Sequence, residues 1–305
     1  MRTTADDVSR AAIMSMYKAA EFGVNSYAFF TEAFENPEAE NYYCTRILRN
    51  AVESDMEGLF VRYTPVYSTE DSAEPRKIIS CEASLALSSL SPEEAPYPSY
   101  MLMQIAERMG VDVASNAWII KQACEFCKRV QAGAPDFKVC VNATSRTLST
   151  GTILTLVKNA LYETGLLPES LSVQFSERIV AIHYDRFISV LGELKKLGVP
   201  VIIDNVGSYY TVTSLLRHSG INAIKADITI FTGNIDEFSE AYLKNIKNLA
   251  DSNNVSIGVK SVEDKAQLEA APGVDWYQGS SHSNEISSDE ILRLMVESKQ
   301  LVISN

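Results

Sequence analysis

The chain has 305 residues, of which 46% are hydrophobic and 22% are charged, so it can bury a substantial core and is neither disordered nor collagen-like in composition. Its formal net charge of −12 opposes binding to nucleic acid polymers, because their phosphates would be repelled. No apolar run approaches the roughly 18 residues of a membrane-spanning helix, and the N-terminus lacks a signal-peptide core. We therefore expect a cytoplasmic protein without membrane insertion.

The first part of the chain has a different pattern from the rest. Within residues 1–36, an amphipathic helix pattern ends near Gly23 and is followed by one strand-like run, VNSYAFF, with no neighbouring partner. A second helical run, over residues 37–55, then leads into the remainder of the chain. The length prior of about two domains fits a short extension followed by one large domain.

From about residue 57 onward, β-rich runs alternate with segments of helical periodicity, which is typical of repeated βα units around a parallel sheet. The strand candidates are residues 58–67, 76–87, 137–143, 171–177, 199–206, 221–227, 255–260 and 274–279. The polar segment 68–75 is too short for a crossover helix, so the first two strands should be antiparallel. The prediction is an α/β fold, a TIM-like (β/α)8 barrel with an antiparallel first strand and an N-terminal helical extension.

The cysteine and histidine residues do not support metal or redox chemistry. Five cysteines, an odd number in apolar contexts, indicate reduced and buried thiols. Cys124 and Cys127 form a CxxC inside a helical run with no second pair at zinc spacing, which favours a buried helix face. The histidines show no ligand spacing, and no Walker-type phosphate loop is present.

Polar side chains recur at the carboxyl ends of the predicted strands, the end at which barrels of this kind build their sites. They are Glu82, Asn142, Gln174, Asp204, Lys225, Lys260 and Gln278. For any one of these residues, a strand end in contact with solvent is as good an explanation as a functional role. The joint pattern favours a cleft that is rich in oxygen atoms and mixed in charge.

These residues resemble the EAL family of bacterial cyclic di-GMP phosphodiesterases over about residues 40–295. The matching segments are Glu82-Ala83-Ser84 for Glu-Ala-Leu, Val141-Asn142 for Val-Asn, 174–177 for Glu-Ile-Thr-Glu, 204–207 for Asp-Asp-Phe-Gly, 224–227 for Ile-Lys-Ile-Asp, 260–263 for Glu-Gly-Val-Glu and 278–279 for Gln-Gly. Residues 1–36 resemble the last helix and strand of a GGDEF diguanylate cyclase domain, but are too few for a cyclase. The expected organisation is a GGDEF-like remnant (1–36), a linker helix (37–55) and an EAL-like barrel (56–305).

The resemblance implies hydrolysis of one phosphodiester bond of cyclic di-GMP with two Mg²⁺ or Mn²⁺ ions. Metal-ligand positions are retained at Glu82, Asn142 and Asp204. Supporting positions are retained at Lys225 and Gln278, and Glu177 and Glu263 correspond to loop anchors. The activity requires several carboxylates, because hard divalent cations bind anionic oxygen ligands.

Three departures from the family motifs remove that chemistry. Gln174 and Asn205 each replace a metal-binding carboxylate by a neutral amide, and Lys260 replaces the expected general base by a cation. A unit charge at about 4 Å is worth about 4 kcal/mol at an effective dielectric constant of 20, so the ammonium should expel a neighbouring metal ion. A protonated lysine also cannot accept a proton from water. We therefore predict an inactive relative with no cofactor, and expect Mg²⁺ or Mn²⁺ only if the domain proves active.

Two further substitutions concern nucleotide binding. Thr64 and Ala86 replace a Gln and an Arg that hold the nucleotide in the family, and each loss removes hydrogen bonds of about 1.5–3 kcal/mol when a charged group takes part. Two interpretations of Lys260 remain open. It either pairs internally with Glu82 and Asp204, or it binds a phosphate without metal together with Lys225.

Three functions follow, in order of preference. The first is a regulatory or scaffold module that acts through a protein partner or a second copy of the chain. The second is a metal-independent cyclic di-GMP receptor with ligand-binding positions at Thr64, Ala86, Lys225, Lys260 and Gln278, which signals through the segment 208–216. The third is an active metal-dependent phosphodiesterase.

Overall fold

The computed structural model describes residues 37–69, 76–87, 99–207, 212–228, 237–263, 265–269, 271, 273–279 and 285–301. The predicted GGDEF-like remnant (1–36) and residues 208–211 of the predicted signalling segment 208–216 lie outside these residues, so both stay predictions. The helices are α1 (Pro37–Glu53), α2 (Ser99–Met109), α3 (Asp112–Gln131), α4 (Ser145–Thr150), α5 (Thr152–Thr164), α6 (Glu177–Ile182), α7 (Tyr184–Leu197), α8 (Val212–Leu215), α9 (Glu237–Ser252), α10 (Lys265–Glu269) and α11 (Ser288–Glu297).

Eight strands form a closed barrel in chain order. They are β1 (Leu59–Ser68), β2 (Ile78–Leu87), β3 (Lys138–Asn142), β4 (Leu171–Ser176), β5 (Val201–Val206), β6 (Ile221–Asp227), β7 (Ser256–Lys260) and β8 (Trp276–Tyr277). β1 is antiparallel to both of its neighbours, β2 and β8, and the other pairs are parallel. The predicted barrel with an antiparallel first strand is therefore confirmed.

Each strand divides its side chains between the surrounding helices and the barrel interior, as the two-residue period of a strand requires. In β4, Leu171, Val173 and Phe175 are fully buried, and the Phe175 ring packs edge-on against Phe187 of α7 with centroids 5.3 Å apart. The alternate residue Gln174 points into the barrel, where it reaches side chains from other strands. The hydrophobic layer between barrel and helices thus fixes the orientation of the polar interior.

Helix α1, which covers the predicted linker, packs on the barrel. Cys44 and Leu48 are fully buried and Ala51 is 1% exposed, and all three join the main hydrophobic core. Residues three or four apart lie on one face of a helix, so this face is the one that contacts the barrel. Within the described residues, no helix has the length and apolar character that would let it cross a membrane.

All five cysteines are buried free thiols, which confirms the prediction made from their sequence contexts. Cys124 and Cys127 lie on the buried face of α3. Burial raises the pKa of each of these two thiols to about 12, so neither forms a nucleophilic thiolate near neutral pH. The CxxC is therefore part of the core.

Candidate functional site

The polar strand-end residues meet at the carboxyl ends of the barrel strands, as predicted. Strand register places Asn142 beside Gln174 and Asp204 beside Lys225, and Lys260 ends β7 next to Asp227. The backbone carbonyl of Asn142 accepts a hydrogen bond from Asn116 Nδ2 of α3 (2.8 Å). Seven side chains thus form one cluster, which we call the upper network. Its members are Glu82, Asn142, Gln174, Asp204, Lys225, Lys260 and Gln278.

Glu82 lies at the centre of the upper network, and four N–H donors surround its carboxylate. Asn142 Nδ2 (2.7 Å) and Gln174 Nε2 (3.3 Å) donate to its Oε1. Lys225 Nζ (2.6 Å) and Gln278 Nε2 (3.3 Å) donate to its Oε2. A carboxylate offers about four lone-pair positions, so the acceptor capacity of Glu82 is fully used within the protein.

Lys225 is the buried cation of the upper network, with a residue exposure of 1%. Its Nζ also donates to Gln278 Oε1 (3.0 Å) and lies 3.8 Å from Asp204 Oδ1. Burial alone would lower the pKa of this ammonium, but the charges of Asp204 and Glu82 outweigh burial and hold the pKa above its usual value. Lys225 therefore stays protonated, and its charge balances that of Glu82, the carboxylate nearest to it.

Lys260 forms an ion pair with Asp204. Its Nζ lies 2.9 Å from Asp204 Oδ2, and its side chain is 23% exposed. Glu82 is held by the other lysine, Lys225, so the two cations divide the two carboxylates between them. The internal pairing considered from the sequence is present in the structure for Asp204.

Gln174 inserts an amide into the middle of the cluster. Its Nε2 is 2.7 Å from Asn142 Oδ1, 3.2 Å from Asp204 Oδ2 and 3.3 Å from Glu82 Oε1, and its Oε1 accepts from Cys140 Sγ at 3.7 Å. An NH₂ group thus faces the oxygen atoms that a metal ion would need. A cation and an N–H donor cannot share these acceptors.

The donor set does not fit a two-metal centre. In the described part of the chain, no group of three His, Cys, Asp or Glu side chains is arranged to hold a metal ion. Among the described residues, the buried Asp204 Oδ1 has no hydrogen-bond partner, and the Lys225 ammonium lies 3.8 Å from it. A single orphaned oxygen beside a cation falls short of the several anionic ligands that a hard divalent ion requires.

The second predicted metal-site substitution, Asn205, occupies a β-bulge. The pairing of β5 with β6 shifts between Asp204 and Val206, and Asn205 has a φ of +57°. Asn tolerates this left-handed conformation better than most residues. Asp204 follows the regular alternation of inward and outward side chains along β5 and points into the upper network. The half-buried Asn205 is the extra residue of the bulge and does not follow this alternation.

Thr64 and Ala86 lie on the two antiparallel strands β1 and β2, and their effect on nucleotide binding stays a prediction. Thr64 pairs directly with Glu82 across the β1–β2 ladder, and Ala86 is 2% exposed and pairs with Phe60. A methyl side chain cannot donate a hydrogen bond, so Ala86 offers no replacement for the guanidinium found in the family.

The two predicted loop anchors differ in the structure. Glu177 is fully buried at the start of α6, and its Oε2 accepts from the backbone N–H of Gly207 at 3.0 Å, which ties the end of β5 to β4. Glu263 is exposed, and its backbone N–H donates to Gln267 Oε1. The geometry supports an anchoring role for Glu177, whereas the exposed carboxylate of Glu263 lacks the burial that such a role would show.

Sequence reasoning missed Glu285. Its carboxyl accepts from Ser99 Oγ (3.3 Å) and Ser84, and its backbone carbonyl accepts from Arg62 Nη1 (3.3 Å). Burial, together with the charge of Glu82, raises the pKa of Glu285. No motif marks Glu285, so only the fold could bring this acid toward Glu82.

Ser261, directly after Lys260, has a φ of +64° and donates from Oγ to Asp227 Oδ2 (3.0 Å). We expect Ser261→Gly to be about 1 kcal/mol more stable than Ser261→Ala, because both lose the hydrogen bond but only Ala keeps the backbone strain. Urea denaturation measures the difference. The control is Ser149 in helix α4. There the free energy of unfolding of the Ala variant should exceed that of the Gly variant by about 1 kcal/mol, the reverse of the order expected at Ser261. Equal stability of the two Ser261 variants would contradict the prediction.

The stability of the protein should fall steeply in acid because of Glu82. Burial raises the pKa of Glu82, but the charge and hydrogen bond of Lys225 outweigh burial and lower it from 4.5 to about 2. A depressed carboxylate pKa stabilises the fold above pH 4.5, and this contribution disappears as the pH falls toward 2.

We expect the wild type to lose about 2–3 kcal/mol more than Glu82→Gln between pH 5 and pH 2. Urea midpoints across that range measure the loss. Glu163→Gln, which removes an exposed carboxylate, should follow the wild type. Parallel acid profiles for wild type and Glu82→Gln would show that Glu82 does not carry this dependence.

The EAL domain family profile matches residues 45–285. Because this match extends from within α1 to beyond β8, the chain belongs to the EAL domain family, and the resemblance predicted from the motifs is confirmed. The signaling protein YkoW of Bacillus subtilis is 24% identical over 295 residues, which cover 95% of the chain and 36% of the relative. The cyclic di-GMP phosphodiesterase PdeR of Escherichia coli is 26% identical over 277 residues, which cover 89% of the chain and 40% of that relative. The chain thus spans two fifths or less of these curated relatives.

Solved structures share the fold. The PaMucR phosphodiesterase in complex with c-di-GMP has a TM-score of 0.71 at 23% identity, covering 82% of this chain and 99% of the other. The FimX EAL domain of Xanthomonas citri in complex with c-diGMP has a TM-score of 0.69 at 20% identity, and the match covers 83% of this chain and 97% of the FimX chain. Likeness at these identities establishes the barrel architecture.

Proposed function

We propose that this EAL domain has no phosphodiesterase activity and acts as a regulatory or scaffold module in bacterial cyclic di-GMP signalling. The observation that carries the proposal concerns Glu82. Its carboxylate accepts hydrogen bonds from four N–H donors of the protein, so its acceptor positions are occupied. Such a module acts through a second copy of the chain or through another protein.

The electrostatics of the upper network support the absence of catalysis. Lys260, at the position of the expected general base, has its ammonium 2.9 Å from Asp204. A unit charge at about 4 Å is worth about 4 kcal/mol at an effective dielectric constant of 20, so the lysine opposes any cation bound there. A nitrogen that donates to Asp204 also offers no lone pair with which to accept a proton from water.

A hydrolysis assay tests the proposal directly. The purified chain is incubated with cyclic di-GMP and Mg²⁺, with Mn²⁺, or with chelator, and the nucleotide is separated by chromatography. We expect no product above the chelator control, while PdeR of Escherichia coli serves as the positive control for assay conditions. Metal-dependent cleavage that disappears in Glu82→Gln would overturn the proposal.

A second candidate function is a metal-independent cyclic di-GMP receptor. The observation in its favour is the 23% exposure of the Lys260 side chain, which is the more exposed of the two lysines in the upper network. The ion pair with Asp204 and the losses at Thr64 and Ala86 favour the scaffold instead. Calorimetric titration with cyclic di-GMP in chelator separates the two functions. A receptor shows saturable heat that Lys260→Ala weakens at least tenfold, whereas binding that Lys260→Ala leaves unchanged contradicts this site.

A further inference from the structure

The barrel contains a cavity of about 660 Å³ that lies on the side opposite to the carboxyl ends of the strands. Its mouth is formed by residues that precede β3 and β4, including Pro135, Asp136, Leu167 and Glu169. Leu167 is 58% exposed there. The cavity extends from this mouth to the underside of the upper network, and we call it the lower cavity.

Small side chains create the lower cavity. TIM-type barrels normally fill their interior with layers of bulky branched residues. Here the lower layer carries Ser80, Ser172 and Ala223, which line the cavity. The space beside Gly258 is taken by the Trp276 ring, because a Cβ at Gly258 would lie 2.3 Å from that ring.

Trp276 forms a fixed aromatic wall of the lower cavity. Its Nε1 donates to Ser256 Oγ at 3.0 Å, which sets the orientation of the indole. Four members of the upper network form the roof and are engaged in its hydrogen bonds. They are Glu82, Gln174, Lys225 and Gln278. A molecule in the cavity would therefore meet hydroxyls and an aromatic wall below a roof of paired charges.

The lining chemistry defines the class of ligand. Ser80 and Ser172 present hydroxyls, and Asn222 uses its Oδ1 to accept from the Val201 N–H, which leaves its amide NH₂ as a donor. Ile79 and Ile202 add apolar surface. A volume of 300–1,000 Å³ with mostly apolar walls and a few polar groups is usual for sites that bind small organic molecules.

The charge of the lining argues against anionic ligands. Acidic lining residues outnumber basic ones by one, with Glu82, Asp136 and Glu169 against Lys138 and Lys225. Lys225 is already committed to Glu82. A phosphate in the cavity would therefore lose its hydration and meet more acidic than basic side chains, with Lys138 as the lining lysine outside the upper network.

We propose that the lower cavity binds an uncharged heteroaromatic molecule of nucleoside size, with its ring against Trp276 and hydrogen bonds to Ser80 and Ser172. An aromatic pair contributes about 0.5–1.5 kcal/mol beyond the area that it buries. This site differs from the phosphate site considered for Lys260, because the cavity opens at the other end of the barrel and Lys260 does not line it.

Intrinsic fluorescence tests the proposal. The chain has two Trp residues, so Trp118→Phe leaves Trp276 as the sole reporter. Guanosine and adenosine are titrated as probes, and GMP as a charged counterpart. We expect saturable changes in Trp276 emission with the nucleosides, at least tenfold weaker binding of GMP than of guanosine, and no effect of Lys260→Ala in the upper network.

Two variants of Ser172 complete the test. Ser172→Leu fills the cavity and should weaken nucleoside binding at least tenfold. Ser172→Ala removes only the hydroxyl and should weaken it about fivefold, which covers the case in which the larger substitution disturbs folding. Circular dichroism checks the fold. A linear response to both nucleosides, GMP binding as tight as guanosine binding, or unchanged affinity in Ser172→Ala would overturn the proposal.

Discussion

Replacing Lys225 by Met should lower the free energy of unfolding by about 3–5 kcal/mol, because the substitution leaves the Glu82 carboxylate without its buried cation and leaves Asp204 with Lys260 alone. Met has a similar length, so the effect comes from lost charge and not from a large cavity. Urea denaturation at pH 7 measures it. A loss below about 1 kcal/mol would mean that the remaining N–H donors are sufficient to neutralise the site.

A double-mutant cycle separates the pair interaction from general damage. Glu82→Gln alone should also destabilise the protein, since it leaves Lys225 with Asp204 at 3.8 Å as its remaining carboxylate. The double variant should lose less than the sum of the single variants by about 1–3 kcal/mol, because residues in direct contact are not independent. Additive losses would contradict the ion pair as the source of stability.

Restoring the family carboxylates should create a metal site. The triple variant Gln174→Glu, Asn205→Asp and Lys260→Glu places new negative charges beside Asp204. Without metal these charges repel one another, so the apparent midpoint of thermal unfolding should fall by several degrees. Mn²⁺ should restore it, since a ligand at about 100 times its dissociation constant adds about 2.7 kcal/mol to stability.

Calorimetry with Mn²⁺ provides the second measurement for the triple variant. We expect saturable binding in the triple variant and no binding in the wild type. Lys196→Glu is the matched control, because it reverses one exposed charge on α7 far from the upper network. Metal binding by the wild type as tight as by the triple variant would show that the three substitutions are not what excludes the metal.

The fold was predictable because each strand carries its own signal. Apolar runs separated by helical segments identified all eight strands, and the short segment 68–75 predicted the antiparallel start. The clustering of strand-end residues followed from the same argument, since parallel strands end at one rim. These features depend on local sequence and on a general rule of barrel geometry.

The pairing inside the upper network was not predictable. Lys225 and Lys260 lie one strand apart, and only side-chain geometry decides that Lys225 contacts Glu82 while Lys260 contacts Asp204. The lower cavity was missed for a related reason. Ser80, Ser172 and Ala223 lie on three different strands, and each one alone is an ordinary small residue. Their joint effect exists only once the barrel closes.

The burial of α1 determines where a stable fragment of this protein has to begin. The face formed by Cys44, Leu48 and Ala51 is part of the hydrophobic core, although it precedes the first strand by several residues. A recombinant fragment cut at the start of β1 would expose the surface that this helix covers and would be prone to aggregate. Expression boundaries for biochemical work should therefore lie before Pro37, even though the family match starts at residue 45.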